Sequence, residues 1–234
     1  MNDVSRAFAE ALSMIGRFDA QLVDIIALSA QVSLTAVLIA AIVGLPLGAA
    51  LAVRHFPGRH ALIVLLNALM GLPPVVVGLL IYLLLSRAGP LGSFGILFTP
   101  AAMVIAQAVL VTPIIAALSR QTLEDAWSEY EEQLRSLGAT RTRAAMTLLW
   151  DSRYSLVTVV LAGFGRAAAE VGAVMIVGGN IEGVTRVMTT TIALETSKGD
   201  LPLALALGLV LIALVVALNA FASSIRQLAI RRYG

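Results

Sequence analysis

Arg166 and Glu170 are the residues whose types and spacing best suit a functional role, because two opposite charges lie four positions apart within an apolar stretch. On a helix this spacing places both side chains on one face, where they can pair. A charge at the centre of a membrane-spanning helix costs at least about 2.5–3.5 kcal/mol, so we expect each charge to neutralise the other. The pattern favours a structural or gating ion pair, and direct contact of Arg166 with an anion is the alternative.

Catalytic chemistry has no support elsewhere in the chain. His55 and His60 are the two histidines, and both stand beside arginines in a short polar connection. The sequence has no cysteine, no Gly-rich phosphate loop, no HExxH and no GxSxG. We therefore predict no catalytic residue, no metal site and no cofactor bound by this chain, so that any ATP would be hydrolysed by another chain.

The elements that position Arg166 and Glu170 are apolar enough to cross a membrane. The chain has 234 residues, 59% hydrophobic and 13% charged, which lies outside the usual range of a soluble domain. A spanning helix needs about 20 mostly apolar residues, and backbone groups in lipid must be paired internally. We predict an all-α, polytopic integral membrane protein with five core transmembrane helices. They cover 25–53, 61–86, 96–118, 154–179 and 201–223.

The five helices form a single transmembrane domain at 25–223, and the segments on either side of it are more polar. Residues 1–24 carry charges throughout and lack the short apolar core of a cleavable signal peptide. Apolar residues recur there on one helical face, which predicts an interfacial amphipathic helix. The face consists of Phe8, Leu12, Ile15 and Leu22. At the other end, 224–234 form a basic tail.

The distribution of basic residues predicts the orientation, because cytoplasmic loops of membrane proteins carry an excess of Lys and Arg. The longest polar segment, 119–152, contains six acidic residues and four arginines and must project into water. With this segment inside, the N-terminus lies outside and the C-terminus inside. Ten arginines are then cytoplasmic: Arg54, Arg59, Arg120, Arg135, Arg141, Arg143, Arg153, Arg226, Arg231 and Arg232. Five basic residues are outside: Arg6, Arg17, Arg87, Arg186 and Lys198.

Several predicted spans contain helix-breaking residues. Pro46, the pair Pro73 and Pro74, and Pro113 lie inside apolar stretches, where proline removes a hydrogen bond and kinks the helix. Such breaks serve either packing or the shaping of a pathway or gate. A further break is expected near the outer surface, at Gly178, Gly179 and Asn180. The polar segment that follows predicts a short helix or re-entrant element facing a cavity on the outer side.

Small residues in the fourth span predict close approach of another helix. Gly165, Ala169 and Ala173 are spaced by four, with Ala168 and Gly172 beside them. No internal repeat accompanies these features. The paired broken segments of inverted-repeat carriers are therefore not evident, which favours an assembly of two copies.

The polar segment 119–152 resembles the coupling loop of the permease subunits of ABC importers. In that family the pattern is Glu-Ala-Ala, three residues and then Gly; here it is Glu132-Gln133-Leu134, three residues, then Gly138-Ala139. The family's Leu-Pro is replaced by Leu149-Trp150-Asp151. The resemblance implies a short helix that contacts the ATPase subunit. The implied contact residues are Glu132, Leu134, Gly138, Ala139 and Arg141.

The resemblance extends over almost the whole chain. GLPLG (44–48), GLPP (71–74), GRAAAEVGAVMIVGGNI (165–181) and TRVMTTTIALETSKGD (185–200) look like the molybdate, tungstate and sulfate permeases, and the last two like the tungstate type in particular. This implies a type I ABC-importer-like fold in the bacterial or archaeal cytoplasmic (inner) membrane. The implied partners are a second copy of this chain, an ABC ATPase dimer that binds ATP-Mg, an extracytoplasmic oxyanion-binding protein and membrane lipid, without nucleic acid.

The function expected from these features is the permease of an ATP-driven tungstate importer. The residues favoured for its pathway or gate are Arg166, Glu170, Pro73, Pro74, Gly178, Gly179 and Asn180. Three alternatives remain: an ABC permease for molybdate, sulfate, methionine or another solute, a self-contained ion-coupled carrier or channel, and a non-transporting scaffold. Activity without a partner ATPase would identify the carrier or channel.

Overall fold

A computed structural model describes residues 3–233, with the side chains of 5–221, 223 and 224. Over this part of the chain the secondary structure is helical and contains no strand, which confirms the all-α prediction. The basic tail predicted at 224–234 lies almost wholly outside the described side chains. The ten α-helices of residues 3–233 are α1 (Asp3–Gly16), α2 (Ala20–Val53), α3 (Arg59–Met70), α4 (Pro74–Leu85), α5 (Pro100–Ser136), α6 (Arg141–Asp151), α7 (Arg153–Ala168), α8 (Gly172–Gly178), α9 (Met188–Lys198) and α10 (Leu201–Tyr233).

Three of these helices, α2, α5 and α10, are long and apolar enough to cross a membrane. Two further pairs, α3 with α4 and α7 with α8, reach the same length only together, because a short break bends each pair. The described residues therefore contain three candidate spans, or five if each bent pair is one span. These spans agree with a polytopic helical membrane protein, while the count of five and the orientation stay predictions.

Two predicted boundaries are corrected. The third span does not begin at 96 but at Pro100, since proline is well suited to the first position of a helix. The same helix continues through the apolar stretch to Ser136, so the first half of the polar segment is not a separate loop. In the fourth span, α7 ends at Ala168 and α8 begins only at Gly172.

The chain folds into two compact units, each built from three separate stretches of sequence. Unit 1 comprises Met1–Ala36, Pro73–Gln107 and Arg166–Ala217. Its apolar core joins α1, the start of α2, α9 and α10 through Ala11, Leu22, Ile25, Met188, Leu203, Ala206 and Leu207. Leu22 belongs to α2, and Phe8 and Leu12 of α1 stay exposed, so the predicted apolar face is divided between the core and the surface.

Unit 2 comprises Val37–Leu72, Ala108–Gly165 and Leu218–Gly234. Its main apolar cluster joins the end of α2 to α5, α6 and α7. The buried members are Ala49, Ala52, Val53, Leu123, Trp127, Ala144, Leu148 and Leu156. Through this cluster the polar segment 119–152 packs against the end of α2 and the start of α7.

Candidate functional site

The break between α7 and α8 contains Glu170. The ion pair expected from sequence is present, because Nη1 of Arg166 lies 2.6 Å from Oε2 of Glu170. Glu170 is nevertheless not on the helix of Arg166, which ends at Ala168. The small-residue stripe predicted from Gly165 through Ala169 to Ala173 is therefore wrong as a single helix face, since the helix that would carry it is interrupted.

Glu170 connects three helices. Its Oε1 accepts a hydrogen bond from the backbone N–H of Ala173 in the first turn of α8, at 3.0 Å. Its main-chain oxygen accepts a hydrogen bond from Oγ1 of Thr189 in α9, at 2.7 Å. Only 3% of the Glu170 side chain is exposed, against 35% for Arg166. A carboxylate is favoured at a helix N-terminus, where free N–H groups and the helix dipole stabilise negative charge.

A second polar side chain reaches the same break. Nε2 of Gln107 in α5 donates a hydrogen bond to the main-chain oxygen of Ala167, at 3.0 Å, near the end of α7. Oε1 of Gln107 is buried and has no hydrogen-bond partner among the described residues. Gln107 borders a cavity of about 10 Å³ that is also lined by Ser33, Glu170 and Thr189. This is about the space that one water molecule needs.

Tight packing of α4 against α8 fixes the other side of the break. A Cβ added at Gly78 would lie 2.7 Å from Cα of Ala173, so only glycine permits this approach. Pro73 and Pro74 lie at the start of α4. There the main-chain oxygen of Pro73 accepts a hydrogen bond from the backbone N–H of Val76. The two prolines therefore separate α3 from α4 instead of kinking one continuous helix.

The segment after α8 reverses direction through Gly179 and Asn180, which have φ angles of 71° and 50° in the left-handed region. Gly178 accepts a hydrogen bond at its main-chain oxygen from Oγ1 of Thr185, at 2.6 Å. The predicted short helix is α9, and its Thr189 and Thr191 are buried and donate to main-chain oxygens. Both hydroxyls therefore hydrogen-bond within the protein itself.

The predicted ATPase-contact residues lie in a helical hairpin, defined here as the end of α5 from Ser119 together with α6. Gly138 forms the turn between the two helices with φ at 71°, as its spacing predicted. Thr140 caps α6 by accepting a hydrogen bond at Oγ1 from the backbone N–H of Arg143. Glu132 and Arg141 are exposed, whereas Leu134 and Ala139 are half-buried.

Apolar side chains also project from this hairpin into solvent. Leu137, Met146 and Trp150 are 82%, 68% and 73% exposed. Large apolar side chains that are exposed on a charged hairpin are the kind of feature that marks protein-contact sites. The sequence predicted no contact role for these three residues. Met146 and Trp150 lie two positions from the buried Ala144 and Leu148 in α6, which places them on the opposite side of that helix, whereas Leu137 lies in the turn.

Sequence reasoning also missed a group of charges at the base of the hairpin. The guanidinium groups of Arg59 and Arg120 both pair with the carboxylate of Glu124. In the sequence, Arg59 lies in the short polar connection that carries His55 and His60. The sequence shows opposite charges at the ends of neighbouring predicted spans, which indicates that some of them pair. It does not indicate which arginine pairs with which carboxylate.

Comparisons with known proteins show which family the chain is similar to. Residues 44–234 match the family described as "Binding-protein-dependent transport system inner membrane component". The chain is 42% identical over 227 residues to the tungstate uptake system permease protein TupB of Peptoclostridium acidaminophilum, which covers 97% of this chain and 100% of that protein. It is 38% identical over 165 residues to the protein of the same name from Campylobacter jejuni, covering 70% of this chain and 69% of that one. The molybdenum transport system permease protein ModB of Escherichia coli is 33% identical over 184 residues, covering 74% and 80%.

Proposed function

This chain belongs to the inner membrane components of binding-protein-dependent transport systems, and we propose that it is the permease subunit of an ATP-driven tungstate importer. The observation that carries the proposal is the full-length similarity to a permease whose name specifies tungstate uptake. Relatives named for sulfate and molybdenum match at lower identity. Molybdate and sulfate are therefore the alternative substrates to test.

Two copies of the chain would form the pathway between them, as expected for a membrane subunit without an internal repeat. ATP-Mg would be bound and hydrolysed by a cytoplasmic ABC ATPase dimer, because this chain contains no phosphate-binding loop. An extracytoplasmic binding protein would deliver the anion, in accordance with the family description. In this assembly the hairpin lies on the cytoplasmic side, where the ATPase dimer is.

The hairpin is the proposed contact with the ATPase. Its turn at Gly138 and the exposed Leu137, Met146 and Trp150 provide a shaped, partly apolar surface. Closure of the ATPase dimer would move this surface and switch the pathway from inward-facing to outward-facing. Glu132 and Arg141 would add charged contacts at its rim.

The Arg166–Glu170 pair is the proposed gate element of the pathway. Because Glu170 neutralises Arg166, the pair offers no strong fixed charge that would hold an anion and slow its release. Contact of Arg166 with the passing anion is the second candidate, since the guanidinium keeps about a third of its surface exposed.

Reconstitution tests the proposed function. The chain would be placed in proteoliposomes with its partner ATPase and binding protein, and uptake of tungstate, molybdate and sulfate measured with and without ATP. We expect tungstate uptake that requires all three components and ATP. Uptake of another anion under the same requirements would change the substrate alone. Uptake by this chain without the ATPase would overturn the proposal in favour of a carrier or channel.

A further inference from the structure

The hairpin is attached covalently to only some of the helices near it. Its first half is the continuation of α5, and its second half, α6, leads through Ser152 into α7. By contrast, α2 and α3 are joined to each other by the connection 54–58, and neither is adjacent to the hairpin in sequence, because α4 and the membrane-spanning part of α5 intervene. If the hairpin moves, noncovalent contacts must determine whether α2 and α3 move with it.

Apolar packing joins these helices to α5 through Val53, Leu66 and their neighbours, and Arg59 adds a directional polar contact. Arg59 is the first residue of α3, and its Nε donates a hydrogen bond to the main-chain oxygen of Leu51 in the last turn of α2, at 2.8 Å. The last four carbonyls of a helix lack intrahelical partners, so this bond satisfies one of them. The Nη2 atom of the same guanidinium binds the carboxylate of Glu124 on α5. One planar side chain therefore touches three helices.

The carboxylate of Glu124 is held from two sides. Arg120, one turn earlier on α5, binds its second oxygen. The side chains of Arg59, Arg120 and Glu124 are 22%, 10% and 30% exposed, so all three are partly withdrawn from water. Charge-assisted hydrogen bonds of arginine are among the strongest in proteins, and the rigid guanidinium fork fixes their direction. This arrangement therefore resists sliding between α3 and α5.

A second polar contact connects the same loop to the other half of the hairpin. Nη2 of Arg54 donates a hydrogen bond to Oγ1 of Thr142 in α6, at 3.2 Å. Beneath both contacts, Val53 of α2 packs in the cluster that contains Leu123 of α5 and Leu148 of α6. The loop 54–58 is thus anchored to both helices of the hairpin.

We propose that Arg59 and Glu124 form a clamp that makes α3 and the end of α2 move together with the ATPase-contacting hairpin. Arg59 is then a positioning residue for energy coupling, and its removal separates ATP hydrolysis from transport without removing the ATPase contact. This inference rests on the proposed function for its transport readout. Its mechanical part concerns the permease alone and is tested separately.

Arg59→Gln is the appropriate variant because Glu124 keeps its pair with Arg120 and no carboxylate is left unpaired. In the reconstituted importer we expect the ATPase to co-purify and hydrolyse ATP as before, while tungstate uptake per ATP falls about tenfold, as for loss of a typical coupling free energy. Arg59→Lys keeps the charge and should recover part of the uptake. Arg17→Gln removes an exposed arginine outside the clamp and serves as the matched control.

Hydrogen exchange on the permease alone provides the second measurement. We expect backbone amides of 54–62 to exchange about tenfold faster in Arg59→Gln than in the wild type or Arg17→Gln, because the loop loses its anchor. Unchanged exchange in Arg59→Gln would overturn the clamp. So would unchanged uptake per ATP in Arg59→Gln, measured where the wild-type complex transports. If the wild-type complex transports no oxyanion, the proposed function fails, and the exchange result still decides whether the clamp exists.

Discussion

Oε1 of Glu170 accepts a hydrogen bond from the backbone N–H of Ala173, at 3.0 Å, and this bond begins α8 on the far side of a break in the chain. The other carboxylate oxygen binds Arg166, near the end of α7. Glu170 is therefore both the partner of a cation and the acceptor of an N–H in the first turn of α8, one residue before the N-cap Val171. An acceptor is therefore needed at position 170 itself, and not merely an opposite charge somewhere in the pair.

This double role predicts that exchanging the two charges does not restore the protein. In Arg166→Glu/Glu170→Arg, the arginine at 170 cannot accept the Ala173 N–H, and its charge opposes the helix dipole. We expect the double variant to lose about 1–3 kcal/mol of stability, the usual cost of an unsatisfied buried polar group. Thermal unfolding of the purified protein measures this loss. Glu170→Gln keeps an acceptor and should be less damaging, whereas full recovery by the exchanged pair would contradict the acceptor role.

A methyl group at Gly78 should destabilise the packing of α4 against α8. The added Cβ would meet backbone atoms of Ala173, which cannot rotate away as a flexible side chain would. We expect Gly78→Ala to lower stability by about 1–3 kcal/mol, as other overpacked sites do. Gly165→Ala is the matched control, since no neighbouring atom lies within 4 Å of its Cβ. Equal melting temperatures for the two variants would show that α4 and α8 do not approach so closely.

Substitutions at Gly138 separate the turn from the proposed docking surface. Its φ of 71° is tolerated by asparagine and aspartate but strongly disfavoured for a β-branched residue. Gly138→Asn should keep tungstate uptake, and Gly138→Val should lose it through the turn. Gly138→Asp should keep the turn but reduce binding of the ATPase, because it adds a negative charge to the contact surface. Co-purification of the ATPase checks this, and normal transport by Gly138→Asp would refute the docking role.

Gln107 should tolerate an apolar replacement better than an acidic one. Gln107→Met removes a donor to the Ala167 oxygen, but that oxygen also accepts the backbone N–H of Glu170 at 3.1 Å. The loss should therefore stay below about 1 kcal/mol, near the net value of one hydrogen bond. Gln107→Glu would place a buried carboxylate against a carbonyl oxygen and should cost clearly more. Thermal unfolding compares the two, and equal losses would indicate that Oε1 has a bound partner such as a water molecule.

Local features of the candidate site were predictable because they depend on neighbours in sequence. The turn at Gly138 and the pair of Arg166 with Glu170 both follow from residue type and short spacing. The break at 169–171 was not predictable from the same residues. Alanine, glutamate and valine there contain no helix breaker, and the interruption is compensated by bonds from Gln107 and Thr189, which are distant in sequence.

The amino-acid sequence by itself determined that this protein is helical, resides in a membrane and carries a long charged segment between apolar stretches, because hydrophobic length and helical periodicity are properties of continuous stretches. Tertiary structure alone decided that Arg59 pairs with Glu124, 65 positions away, and that Gln107 reaches Ala167, 60 positions away. Such contacts produce no periodic pattern in the sequence. Several arginines and several carboxylates are available, and nothing in the sequence selects one pair. The packing of whole helices brings particular atoms within hydrogen-bonding distance, and that packing selects the partners.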